Sequence, residues 1–140
     1  FFILSNFIQI KLILFSFLFC CIASDIGGYI FGKILKGPKL TKISPKKTKS
    51  GALGSMLFSG VFFLIGIFYL TNTINIKIIL VGLLTSIMCQ IGDLFFSFLK
   101  RKSKVKDTGN FFPGHGGVLD RLDGILLGLP FGFIFLILLF

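Results

Sequence analysis

Apolar runs of about twenty residues recur four times along the chain, at roughly 12–31, 52–70, 76–98 and 118–140. At 1.5 Å per residue each makes a helix of about 30 Å, the thickness of a bilayer's hydrocarbon core. The runs are continuous and lack the in–out alternation of an outer-membrane barrel, so strands are not expected. Hydrophobic residues make up 54% of the chain, against about 45–50% in a soluble domain, which leaves too little polar surface to meet water. The expected fold is all-α, a polytopic transmembrane helical bundle forming a single domain over 1–140. The sequence opens at Phe1 inside an apolar stretch. Phe1–Ile10 is therefore expected to end a preceding helix or turn, with earlier spans before it.

The connections carry the charge. Lys and Arg number 15 against five acids, a net charge of +10. Seven lysines fall between Lys33 and Lys49, and five more bases between Lys100 and Lys106. Gly32–Ser50 contains Pro38 and Pro45 and reads as a loop, as does Lys100–Gly117. Thr71–Asn75 is a short uncharged turn. The two basic loops are separated by two spans and so share a face, which the positive charge assigns to the cytoplasm. Contact with anionic headgroups is the plain reading of such lysines. No nucleic-acid partner is expected. Cys20, Cys21 and Cys89 lie in apolar stretches without metal-type spacing and read as small buried hydrophobes.

Topology does not explain the acids. All are Asp, at 25, 93, 107, 120 and 123, and all lie in or beside the basic regions. A carboxylate at mid-bilayer costs about 2.5–3.5 kcal/mol even on a mild insertion scale, so four of them gathered at one depth need a reason. Asp93, Ser97 and Lys100 stand at i, i+4 and i+7, one stripe along a helix, with Arg101 adjacent. The plain alternative for Asp93 is a buried partner for Lys100. Asp120 and Asp123 share a face at i, i+3. One such Asp suits a helix N-terminus; two suit Mg²⁺, which takes one or two carboxylates and keeps waters or phosphates. Before them, Phe112-Pro113-Gly114-His115-Gly116-Gly117 is a glycine-rich loop whose backbone can approach a phosphate closely. Carboxylates, bases and this loop at one membrane face suit polyphosphate chemistry on a lipid.

Residues 97–123 resemble the signature of the phosphatidate cytidylyltransferases. That signature has Ser, then Lys-Arg, Lys-Asp, Pro-x-His-Gly-Gly and Asp-Arg-x-Asp. Here it is carried by Ser97, Lys100-Arg101, Lys106-Asp107, Pro113, His115-Gly116-Gly117, Asp120-Arg121 and Asp123. Upstream, Asp25-Ile26-Gly27-Gly28-Tyr29 is similar to the family's Asp-x-Gly-Ala-Tyr segment, and Ser44-Pro45-Lys46-Lys47-Thr48 to its Ser-Pro-x-Lys-Thr loop. Gly28 stands where Ala is common, and Lys49-Ser50 where an aromatic and Glu are usual. The likeness covers essentially the whole chain, aligned with the C-terminal half of a longer protein.

The resemblance implies an enzyme that transfers a cytidylyl group from CTP to phosphatidate, giving CDP-diacylglycerol and pyrophosphate in phospholipid biosynthesis. It implies Mg²⁺ as cofactor, with a second cation left open, and it allows a homodimer. Asp93, Ser97, Lys100 and Asp120 are the expected catalytic residues, with Asp93, Asp120 and Asp123 as metal ligands. Ser44, Lys47, Thr48, Arg101, Lys106 and Arg121 are expected to hold substrate, and His115, Gly116 and Gly117 to shape the nucleotide loop. The expected location is a bacterial inner membrane with the site at the cytoplasmic face. Two other readings stay open: a CTP-dependent polyprenol kinase of the same broad group, and a non-enzymatic membrane transporter lined by these bases.

Overall fold

A computed structural model describes residues 2–41, 47–104 and 119–140, with side chains described from Ile8 onward and, in the last segment, from Leu122. It consists of four helices: α1 (Phe2–Leu35), α2 (Lys49–Thr71), α3 (Ile76–Lys102) and α4 (Leu119–Leu139). All four are long and apolar enough to cross a membrane, and no strand occurs among the described residues. The chain is a transmembrane helical bundle.

Helix ends differ from the sequence expectation in two places. Phe1–Ile10 does not end a separate helix: α1 runs without a break from Phe2, because Gln9 and Lys11 lack any helix-breaking backbone preference. Its 34 residues make it about 51 Å long, well beyond one hydrocarbon core. The second basic segment is helical at its start, since α3 continues through Lys100, Arg101 and Lys102. Cations in a last helical turn sit favourably against the C-terminal end of the macrodipole.

Turn chemistry fixes the other boundaries. Asn75 caps α3, its side chain accepting from the Lys77 N–H at 3.0 Å. Asn72 ends α2 in the left-handed region at φ 52°, which Asn tolerates better than most residues. Lys36, at φ 41°, turns the chain out of α1. Residues beyond it fold back as a narrow hairpin: Lys39 bridges Thr48, Leu40 N–H donates to the Lys47 carbonyl at 2.7 Å, and Lys49 N–H to the Pro38 carbonyl at 2.9 Å. This delivers Lys47 and Thr48 to the top of the bundle.

The interior divides by depth. Toward the 72–75 end it is built on Phe17, Cys20, Phe63, Ile67, Ile78 and Val81, with Ser16, Ser59 and Thr85 buried among them and their hydroxyls bonded to backbone carbonyls. The Phe17 ring lies 4.7 Å from that of Phe63 and 4.8 Å from that of Phe133, centroid to centroid. Toward the lysine-rich end it turns polar, with Ser24, Ser55 and Ser86 buried. All three cysteines are buried and free. The outer surface is apolar; on α2 it shows Leu53, Leu57, Val61 and Ile65 in one stripe, the face lipid would cover.

Small residues let the helices approach where the interior is polar. A side chain on Gly51 would meet the Gly28 carbonyl at 2.6 Å, and one on Gly92 would meet the Asp123 carbonyl at 2.8 Å. Both obstacles are backbone and cannot rotate away. Gly92→Ala should therefore push α4 from α3 and lower stability by about 1–3 kcal/mol, measured as unfolding of the purified protein in detergent. An unchanged unfolding midpoint would contradict this close packing.

Candidate active site

At the lysine-rich end the bundle encloses a cavity of about 410 Å³. Asp25 and Tyr29 enter it from α1, Lys47 and Thr48 from the hairpin ahead of α2, Asp93 from α3 and Asp123 from α4. Lys47 Nζ forms an ion pair with Asp93 and shares the cavity with Asp25. The carboxylates of Asp93 and Asp123 lie within hydrogen-bonding reach of each other. One Oδ of Asp123 also accepts from the Gly124 N–H at 2.8 Å. Three carboxylates from three helices thus share one cavity with Lys47.

The N-terminus of α2 opens into the same space. Thr48 is its N-cap, extended at φ −111°, with its hydroxyl oxygen accepting from the Gly51 N–H at 3.1 Å. Ser50 ties the cap to the hairpin, its hydroxyl lying 3.1 Å from that of Thr48 and accepting from the Gly37 N–H at 3.2 Å. A helix start with its unpaired N–H groups and a lysine beside it is favourable ground for phosphate.

Of the sequence-derived set, the cavity gathers Lys47, Thr48, Asp93 and Asp123. Lys100 stands close enough to Asp123 to act on its charge, on the same face of α3 as Asp93 and Ser97. Neither Ser97 nor Arg101 lines the cavity, and Arg101 is exposed. Asp93, for which Lys100 was the partner suggested by helical spacing, forms an ion pair with Lys47. Asp120 and Arg121 fall in the first turn of α4, and their side chains lie outside the described residues. Ser44, Lys106, His115, Gly116 and Gly117 also lie outside the described residues. The sequence reading assigned no role to Gln90, Ser24 or Ser55, which form the cavity floor, and gave Asp25 none beyond membership of the acidic cluster. A signal existed: Gln90 is three residues before Asp93, one turn deeper on the same helix.

The donor set fits a hard divalent cation. Asp93 and Asp123 bring two carboxyl groups into one cavity, oxygen donors of the kind a hard divalent cation takes. Among the described residues no three His, Cys, Asp or Glu side chains form a metal-binding group. A pair of carboxylates is nevertheless the usual protein share of a Mg²⁺ site, with water and phosphate oxygens filling the rest.

Fold and cavity define a polytopic helical membrane protein with an acidic, lysine-paired pocket at one end. More narrowly, the chain belongs to the cytidylyltransferase family, whose profile matches residues 1–139. It is 46% identical over 123 residues to the phosphatidate cytidylyltransferase of Rickettsia bellii, a match covering 80% of this chain and 52% of that protein. To the phosphatidate cytidylyltransferase of Synechocystis sp. it is 45% identical over 126 residues, 86% of this chain and 42% of the relative. To that of Staphylococcus haemolyticus it is 41% identical, over 84% of this chain and 46% of the relative. The chain spans about half the length of the curated relatives it matches.

Proposed function

We propose that the protein transfers the cytidylyl group of CTP to phosphatidate, making CDP-diacylglycerol and pyrophosphate, at the cytoplasmic face of a bacterial inner membrane. The observation that carries this reading is the convergence of Asp25, Asp93, Asp123 and Lys47 on one cavity beside the α2 N-terminus, in a chain of the cytidylyltransferase family. In the reaction an oxygen of the lipid phosphate attacks the α-phosphorus of CTP. The bond from that phosphorus to the bridging oxygen breaks, and pyrophosphate leaves with the electron pair. Little covalent chemistry falls to the protein, so its contribution is positioning and charge neutralisation. Lys47 and the N–H groups at the start of α2 suit the triphosphate, and Lys100 lies near enough to Asp123 to serve the same anion. Mg²⁺, held by Asp93 and Asp123 with Asp120 from the same turn, would neutralise charge on the transferring and leaving phosphates.

The test is an assay of the full-length protein in membranes, following label from α-³²P-CTP into extractable lipid with phosphatidate and Mg²⁺. Label in lipid that depends on phosphatidate supports the reading; none would overturn it. A polyprenol kinase would instead move label from the γ-phosphate. Orientation is tested separately. Asn72→Cys should react with a membrane-impermeant maleimide on intact cells, and Lys39→Cys only after permeabilisation. Both positions are exposed and the native cysteines are buried, so background is small. The reverse pattern would move the cavity to the outer face.

A further inference from the structure

Beneath the rim the cavity has a polar floor made of Ser24, Ser55 and Gln90, with Asp25 entering beside Ser24. Gln90 lies one turn below Asp93 on α3, and Ser55 about two turns below Thr48 on α2. The hydrogen bonds of this floor settle which way the Gln90 amide points. Its nitrogen lies 3.3 Å from the Ala52 carbonyl, which can only accept, and 2.6 Å from the Ser55 hydroxyl. Ser55 already donates to that same carbonyl at 2.8 Å, so toward Gln90 it accepts. Both contacts demand the NH₂ group on the α2 side, and the same nitrogen lies 3.5 Å from the Ser86 hydroxyl. The carbonyl oxygen Oε1 is left as the acceptor the amide presents on its other side, and among the described residues it accepts no hydrogen bond. Below, Ser24 and Ser86 bond to each other at 2.7 Å, which closes the floor.

We infer that Gln90 is the specificity-determining residue of the cavity, its Oε1 accepting from the exocyclic 4-amino group of a cytosine base seated on the floor. The inference rests on the cytidylyl-transfer reading and names the group that makes the transfer specific. A nucleoside triphosphate is charged at one end and neutral and polar at the other. The cavity has a similar order, with Asp93, Asp123, Lys47 and the α2 N-terminus at the rim and hydroxyls and an amide below, beside Asp25. A diacyl lipid does not fit the floor, because its uncharged end is apolar. Cytosine carries an amine at position 4 and uracil a carbonyl, so the two differ as donor and acceptor. Uracil would set carbonyl oxygen against carbonyl oxygen, and that repulsion discriminates as strongly as the bond to cytosine.

The experiment uses full-length protein in phosphatidate-containing vesicles with Mg²⁺. For the unmodified protein, N4,N4-dimethyl-CTP, which has no N4 hydrogen to donate, should have a kcat/KM at least about 10²-fold below that of CTP, as sites built around a substrate hydrogen bond reject analogues lacking it. Gln90→Leu should raise the KM for CTP, leave that for phosphatidate unchanged, and reduce the preference for CTP over UTP by about tenfold or more. Ser86→Ala, which disturbs the same network without removing Oε1, should keep the CTP/UTP ratio. Equal use of CTP and its dimethyl analogue would overturn the inference even if Gln90→Leu failed to fold. So would an unchanged CTP/UTP ratio in a folded Gln90→Leu protein. If the unmodified protein labels no lipid from CTP at all, the cytidylyl-transfer reading itself fails, a result distinct from either of these.

Discussion

Asp93→Asn in the full-length protein should lower kcat by at least about 10²-fold, equivalent to about 2.7 kcal/mol of transition-state stabilisation. Asp93 is the hub of the cavity: it pairs with Lys47, faces Asp123 and lies near Asp25. Asn keeps its size but supplies no negative charge, so it cannot complete a divalent-cation site with Asp123 and leaves Lys47 without its ion-pair partner. Loss of one preorganised electrostatic group in an active site costs about 10²–10³ in kcat. Folding should survive, because the Asp93 side chain is half-buried and Asn can still hydrogen-bond. Reading kcat against Mg²⁺ concentration sharpens the test, since the half-saturating Mg²⁺ concentration should rise as well. Near-normal activity at unchanged Mg²⁺ dependence would remove Asp93 from the chemistry and leave it a structural partner of Lys47.

What the sequence revealed of this arrangement, and what it hid, has a physical pattern. Long apolar runs show the helices because a bilayer tolerates no other lipid-exposed backbone. Helix ends are less legible. Lys100, Arg101 and Lys102 look like a loop by composition, yet Lys and Arg are good helix formers and sit well in a last turn. The aspartates stand out because carboxylates are costly within a membrane. Lys47 is different. Spacing along α3 points from Asp93 to Lys100 and says nothing of Lys47, which reaches Asp93 from a hairpin whose register depends on Lys39, Leu40 and Thr48. Gln90, Ser24 and Ser55 leave little trace in sequence, because neutral polar side chains are common in membrane spans and bond readily to neighbouring helices. Only the contact between α2 and α3 makes them one floor.

Lys47→Gln should reduce kcat/KM by roughly ten- to two-hundredfold, because a hydrogen bond to a charged group is worth about 1.5–3 kcal/mol. If basic residues here serve only to orient the chain, Lys102→Gln should do the same damage, for it removes an equal charge from the same end of the bundle. Lys102 is exposed and does not line the cavity, and exposed charges contribute about 0–1 kcal/mol. Its variant should therefore stay close to the unmodified protein. Lys100→Gln should fall between the two, since Lys100 acts on Asp123 from outside the cavity wall. The double variant Lys47→Gln/Asp93→Asn separates a working pair from two independent residues. Partners in direct contact are non-additive by about 0.5–3 kcal/mol. Once Asp93 is neutral, Lys47 no longer has its ion pair, so its loss should add much less than it does alone. A double variant whose losses multiply would mean that Lys47 and Asp93 act on the substrates separately. Equal small effects at Lys47 and Lys102 would return both lysines to a purely topological role, and the cavity would then lack the cation on which its phosphate chemistry depends.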